Sequence, residues 1–147
     1  MSGIVCAIRG GPKSRKTIER AVELARKTGE PLYFLYVVNL DFLSRTSSSR
    51  VHTLSTDMRE MGEFILATAQ TRARAAGVEA QGVVRQGRVV DEIVGLSKEV
   101  KAHYVVIGRP RKEHEANVFE ETALDAFVDR VQRETGATVI SVGEDES

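Results

Sequence analysis

Apolar residues follow two rhythms along the chain. Short continuous runs occur over residues 3–8, Leu32–Val38, 104–108 and Thr138–Val142, and a weakly alternating run with Gly82 covers 78–85. Continuous rather than alternating apolarity suits strands buried on both faces of a parallel sheet. Between the runs lie stripes of helical spacing: Ile18, Ala21, Val22 and Ala25; Leu54, Met58, Met61, Ile65, Ala69, Ala73 and Ala76; Val90, Ile93, Val94, Ser97 and Val100; Phe119, Ala123, Ala126, Phe127 and Val131. Each predicts an amphipathic helix. Gly29, Gly77 and Gly136 stand just past three of these stripes, where a left-handed cap ends a helix, and Pro12 suits a first helical turn. Residues 39–53 are polar and rich in serine, which predicts an exposed loop, and Gln86-Gly87-Arg88 reads as a turn.

The predicted order is five strands alternating with four helices. Strict alternation implies an α/β fold, with parallel strands joined by right-handed crossovers and helices on both faces. In such an open sheet the ligand crevice lies beyond the strand C-termini, where the strand order reverses. Glycine-bearing loops follow two strands there, Arg9-Gly10-Gly11-Pro12 and Gly108-Arg109-Pro110-Arg111.

The 147 residues suffice for one domain, read as 1–143 with an acidic tail over 144–147. Lys plus Arg and Asp plus Glu both count 21, and a zero balance argues against a dedicated nucleic-acid binder. The single cysteine, Cys6, excludes an internal disulfide and a cysteine-rich zinc site and points to a reducing compartment, the cytoplasm. Its place in a strand makes it inert packing. No apolar run approaches the roughly 20 residues of a membrane span, and no signal peptide is expected. His52, His103 and His114 lack metal-ligand spacing and are expected to be incidental polar residues. The methionines of the long helix are expected to fill the core.

Several segments together resemble the universal stress protein family. They are Ile4-Val5-Cys6-Ala7-Ile8, Leu35-Tyr36-Val37-Val38, Val84-Arg85-Gln86-Gly87 before a helix, His103-Tyr104-Val105-Val106-Ile107-Gly108, and the closing Ala137-Thr138-Val139-Ile140-Ser141-Val142. The resemblance implies an open five-stranded sheet of order 3-2-1-4-5, of the Rossmann-like, adenine nucleotide alpha-hydrolase-like kind. It also implies a homodimer formed through Thr138–Val142, which would be an apolar edge strand in need of cover. Many members of the family bind ATP at the switch point. Their glycine signature falls on Gly108, Arg111 and Glu121, followed by Thr122, so two of its three glycines are replaced. The acidic residue that ends their first strand is here Arg9.

Those departures have physical weight. Glycine lets backbone approach phosphate closely, whereas Glu121 sets a negative charge where phosphate oxygens would lie. Asn117 and Glu120 form a capping-box pattern, so the last helix is expected to satisfy its own first amides. The rim is nevertheless basic, with Arg9, Lys13, Arg15, Lys16, Arg109, Arg111 and Lys112 in or after the two loops. The leading reading is a regulatory or protective stress-response module, not an enzyme, with no assured cofactor. The second is an ATP or AMP sensor. In it Arg109, Arg111 and Thr122 contact the phosphates, Val38, Gly87 and Ile107 wall the base, as the resemblance implies, and Arg9, Gly10 and Gly108 complete the site, whose basic rim suits phosphate or another anion. The third is a nucleotide-cleaving enzyme built on residues 9–14, a partial match to the loop of ATP pyrophosphatases that lacks its leading Ser and its Asp.

Overall fold

The computed structural model describes residues 3–9, 14–39, 48–108 and 117–143, and for 48–51 and 117–123 the backbone alone. The elements run β1 (Gly3–Ala7), α1 (Ser14–Thr28), β2 (Leu32–Val38), α2 (Ser48–Ala75), β3 (Ala80–Gln86), α3 (Val89–Glu99), β4 (Ala102–Gly108), α4 (Asn117–Thr135) and β5 (Thr138–Val142). All strand pairs are parallel, and the order is β3-β2-β1-β4-β5. The expected fold is therefore the observed one. The expected capping glycines Gly29, Gly77 and Gly136 adopt φ of +73°, +82° and +75°, a region open to glycine at little steric cost.

Two boundaries differ from the sequence reading. The polar stretch expected as loop to residue 53 is helical from Ser48 onward. The third strand begins at Ala80 rather than at residue 78, because residues 76–79 complete the turn that leaves α2, with the Val78 amide donating to the Ala73 carbonyl.

Alternation along each strand divides the core in two. Ile4, Cys6, Phe34, Tyr36, Val38 and Val106 meet Ile18, Ala21, Val22, Leu66, Ala69 and Ala73 of α1 and α2. Val5, Leu35 and Val105 meet Ile93, Val94, Leu96, Phe127 and Val131 of α3 and α4 on the opposite face. Ser97 sits in this second layer, fully buried, and its Oγ has no hydrogen-bond partner among the described residues. A buried hydroxyl without a partner keeps its desolvation cost. Ser97→Ala is expected to leave stability unchanged or raise it by up to about 1 kcal/mol, read from urea midpoints; a loss of that size would mean the hydroxyl has a partner.

Charged pairs tie the outer elements together. Arg85 of the edge strand β3 makes two hydrogen bonds of 2.7 Å to Glu99 of α3. Arg130 of α4 reaches Asp91 of α3 at 2.7 Å and Glu134 at 2.8 Å. The hydrogen bonds from Arg85 and Arg130 hold Glu99 and Glu134 below the ordinary carboxylate range. A lowered carboxylate contributes stability above its unfolded value and loses it as pH falls through the folded one. Arg85→Gln is thus expected to lose less stability than the unmodified protein on acidification below about pH 4. Equal acid losses in urea titrations would contradict a role for the pair.

Candidate functional site

The strand order reverses between β1 and β4, so the crevice opens beyond Ala7 and Gly108. α1 begins at Ser14 on its rim. The stripe of Ile18, Ala21 and Ala25, carried one turn backward, lands on Ser14 and Thr17, and both are buried. Thr17 settles the packing at this point. Cys6 Sγ of β1 donates a weak hydrogen bond, 4.0 Å long, to the Thr17 carbonyl. A Cβ added to Gly108 of β4 would come within 3.2 Å of Thr17 Oγ1. Gly108 therefore lets the first turn of α1 lie close against the end of β4. The same burial pushes the Cys6 thiol up, which keeps it protonated and unreactive.

The neighbouring strand ends form the other wall. The Gly87 amide donates to the Val38 carbonyl at 3.0 Å. Gly87 has φ +153°, and a Cβ there would meet Glu92 Oε2 of α3 at 2.6 Å. Ser55 of α2 donates to Gln86 Oε1 at 2.9 Å, fixing the start of the long helix to the end of β3.

The residues singled out from sequence fall into distinct places. Arg9 is exposed just past β1, and Gly108 is exposed at the end of β4. Val38 is fully buried in the α1/α2 layer, whereas Ile107 is half-buried and belongs to the α3/α4 layer. The two therefore lie on opposite faces of the sheet, and Val38 offers backbone rather than side chain. Gly10, Arg109, Arg111, Lys13 and Lys112 lie outside the described residues, as does Pro12. Thr122 lies on α4, and its side chain, with those of Asn117, Glu120 and Glu121, is also outside them. Within the basic rim, Arg15 pairs with Glu19 at 3.4 Å.

Sequence reasoning missed Thr17, Ser14 and Glu92. Continuing the apolar stripe of α1 backward would have found the first two. It also missed the partner of His103, whose Nδ1 lies 2.6 Å from Glu30 Oε1 at the N-terminal ends of the strands, away from the crevice. Two surface grooves lined by described residues also lie away from the crevice. One is beside Gly29, Pro31 and Gly77, and the other is between α1 and α2.

The model of the universal stress protein family matches residues 1–141. The chain belongs to that family. No curated protein sequence matches it. Among solved structures, a universal stress protein in complex with cAMP shares 23% identity over 96% of both chains, with a TM-score of 0.70. The universal stress protein UspA from Lactobacillus plantarum shares 14% over 96% of this chain and 97% of its own, with a TM-score of 0.76. That from Archaeoglobus fulgidus in complex with dAMP shares 20% over 96% and 97%, with a TM-score of 0.62. At these identities the likeness establishes the universal stress protein fold. No described helix is long and apolar enough to cross a membrane.

Proposed function

We propose that this universal stress protein works in the cytoplasm as a regulatory or protective binding module of the stress response, without turnover, and that its crevice is a degenerate nucleotide site. The observation that carries this is the combination of Arg9 after β1 with Gly108 at the end of β4, the two strands that flank the switch point. The close packing that needs Gly108 is retained, while an exposed cation stands where the family's first strand ends in an acidic residue. Glu121 adds a negative charge where phosphate would sit, in the opening turns of α4, which begins at Asn117. Restoring the family residues tests the reading. The triple variant Arg9→Asp, Arg111→Gly, Glu121→Gly is expected to gain ATP affinity of at least tenfold by titration calorimetry, equivalent to about 1.4 kcal/mol. A variant that binds no better than the unmodified chain would refute the reading.

A second reading draws support from the cAMP and dAMP found in two of the structural relatives. In it, Arg109, Arg111 and Thr122 hold the phosphate of AMP or ATP. Tight binding by the unmodified protein would favour it.

The proposed assembly is a homodimer through β5. This edge strand pairs only with β4 in the sheet, and its Val139, Ile140 and Val142 are half-buried. Pairing with a twin would satisfy its open edge. Sedimentation at micromolar concentration is expected to give twice the chain mass, and a monomer would contradict it.

A further inference from the structure

We propose that the outer face of α2 is a second self-association surface, which takes the α2 helix of another copy in antiparallel, two-fold fashion. The expectation that the methionines of this helix fill the core holds in part. Met58 packs against the core, but Met61 is 57% exposed, and Leu54 and Phe64 are 37% and 74% exposed. These are the large apolar side chains that stand most open among the described residues. They share one side of a helix, because Leu54, Asp57, Met61, Phe64, Thr68, Thr71 and Ala75, all exposed, repeat at alternating steps of three and four. That is the spacing of a seam that faces another helix. The seam runs about 32 Å at 1.5 Å per residue.

Charge selects the occupant. Asp57 lies in the first half of the seam, and Arg72 flanks its second half, where it also lines the groove beside α1. Both are exposed, and neither has an ion-pair partner among the described residues. With a two-fold axis between Phe64 and Ile65, antiparallel pairing sets Asp57 opposite Arg72 of the second copy, and the symmetry makes the pair twice. The same register sets Leu54 opposite Ala75 and Met61 opposite Thr68, and it brings the two Phe64 rings together at the centre. An isologous contact needs this self-complementarity. A single helix pair buries less than a standard interface of about 1,600 Å² in total, so the association is weak.

The test is sedimentation velocity on the full chain from micromolar to submillimolar concentration. The unmodified protein is expected to show a concentration-dependent doubling of mass. Phe64→Asp and Asp57→Arg are each expected to weaken it at least tenfold, with thermal midpoints unchanged because both positions are exposed. The double variant Asp57→Arg, Arg72→Asp is expected to restore it. Pairing through β5 leaves the comparison intact, since its doubling is common to every variant. The proposal is overturned if the unmodified protein shows no such step, if the step survives Phe64→Asp, or if the double variant stays as weak as Asp57→Arg. It is equally overturned if Phe64→Asp leaves the mass unchanged but abolishes binding to phosphatidylserine vesicles, which would make the face a membrane-contact surface.

Discussion

Phe34→Ala is expected to lower stability by about 3–5 kcal/mol and the thermal midpoint by roughly 10 °C or more. Phe34 is fully buried at the middle of β2, level with Cys6 of β1 and with Gly82 of β3. Its ring fills the layer beneath α1 and α2. The neighbours cannot close over the space it leaves. Gly82 has no side chain to lean in, and a Cβ there would already meet Leu66 and Gln70 of α2 at 3.1 Å. The cavity therefore stays open, which is the expensive form of a large-to-small substitution. Denaturant unfolding of the purified variant gives the number directly. A loss under about 1 kcal/mol would mean that this face of β2 is not covered by α1 and α2.

The second large effect comes from adding atoms. Gly62→Val is expected to destabilise by about 2–3 kcal/mol, although valine is the better helix former by a few tenths of a kcal/mol. A Cβ at Gly62 would run into the aromatic ring of Tyr36. Tyr36 is itself buried, so its ring has nowhere to swing. This glycine lets the longest helix lie directly on β2. Shrinking the obstacle should relieve the clash, and Gly62→Val is expected to cost at least about 1 kcal/mol less in a Tyr36→Leu background. Equal costs in both backgrounds would show that the glycine serves another purpose.

Much of this architecture is readable from residue pattern, and the failures have identifiable causes. The continuous run Leu32–Val38 announces a central strand, because only a strand covered on both faces tolerates apolar residues at every position. The start of α2 is not readable in this way. Residues 48–53 are mostly polar and carry no apolar stripe, so hydrophobic periodicity has nothing to detect. Met61 illustrates the converse error. It continues the spacing of the core stripe, but it stands on the same side of the helix as Leu54 and Phe64, which faces solvent. Chemistry at the crevice was partly legible. The glycine that ends β4 and the basic residue after β1 both stand at the switch point, as their loops suggest. Thr17 was hidden because a polar residue on a helix reads as solvent-facing until the strand beneath it is known. The His103–Glu30 contact joins positions 73 residues apart, which no local pattern encodes.

Family membership sets the fold; the proposal is that the substitutions at the crevice set what this member binds. Thermal unfolding of the unmodified protein with millimolar Mg-ATP, against Mg-GTP and sulfate, tests that claim most directly. A nucleotide present at 100 times its dissociation constant would stabilise by about 2.7 kcal/mol, raising the midpoint by roughly 5–10 °C. With Arg9 and Glu121 in place, the midpoint is expected to rise no further with Mg-ATP than with sulfate. A rise of that size confined to Mg-ATP would contradict the account and make this chain a conventional nucleotide-binding member of its family.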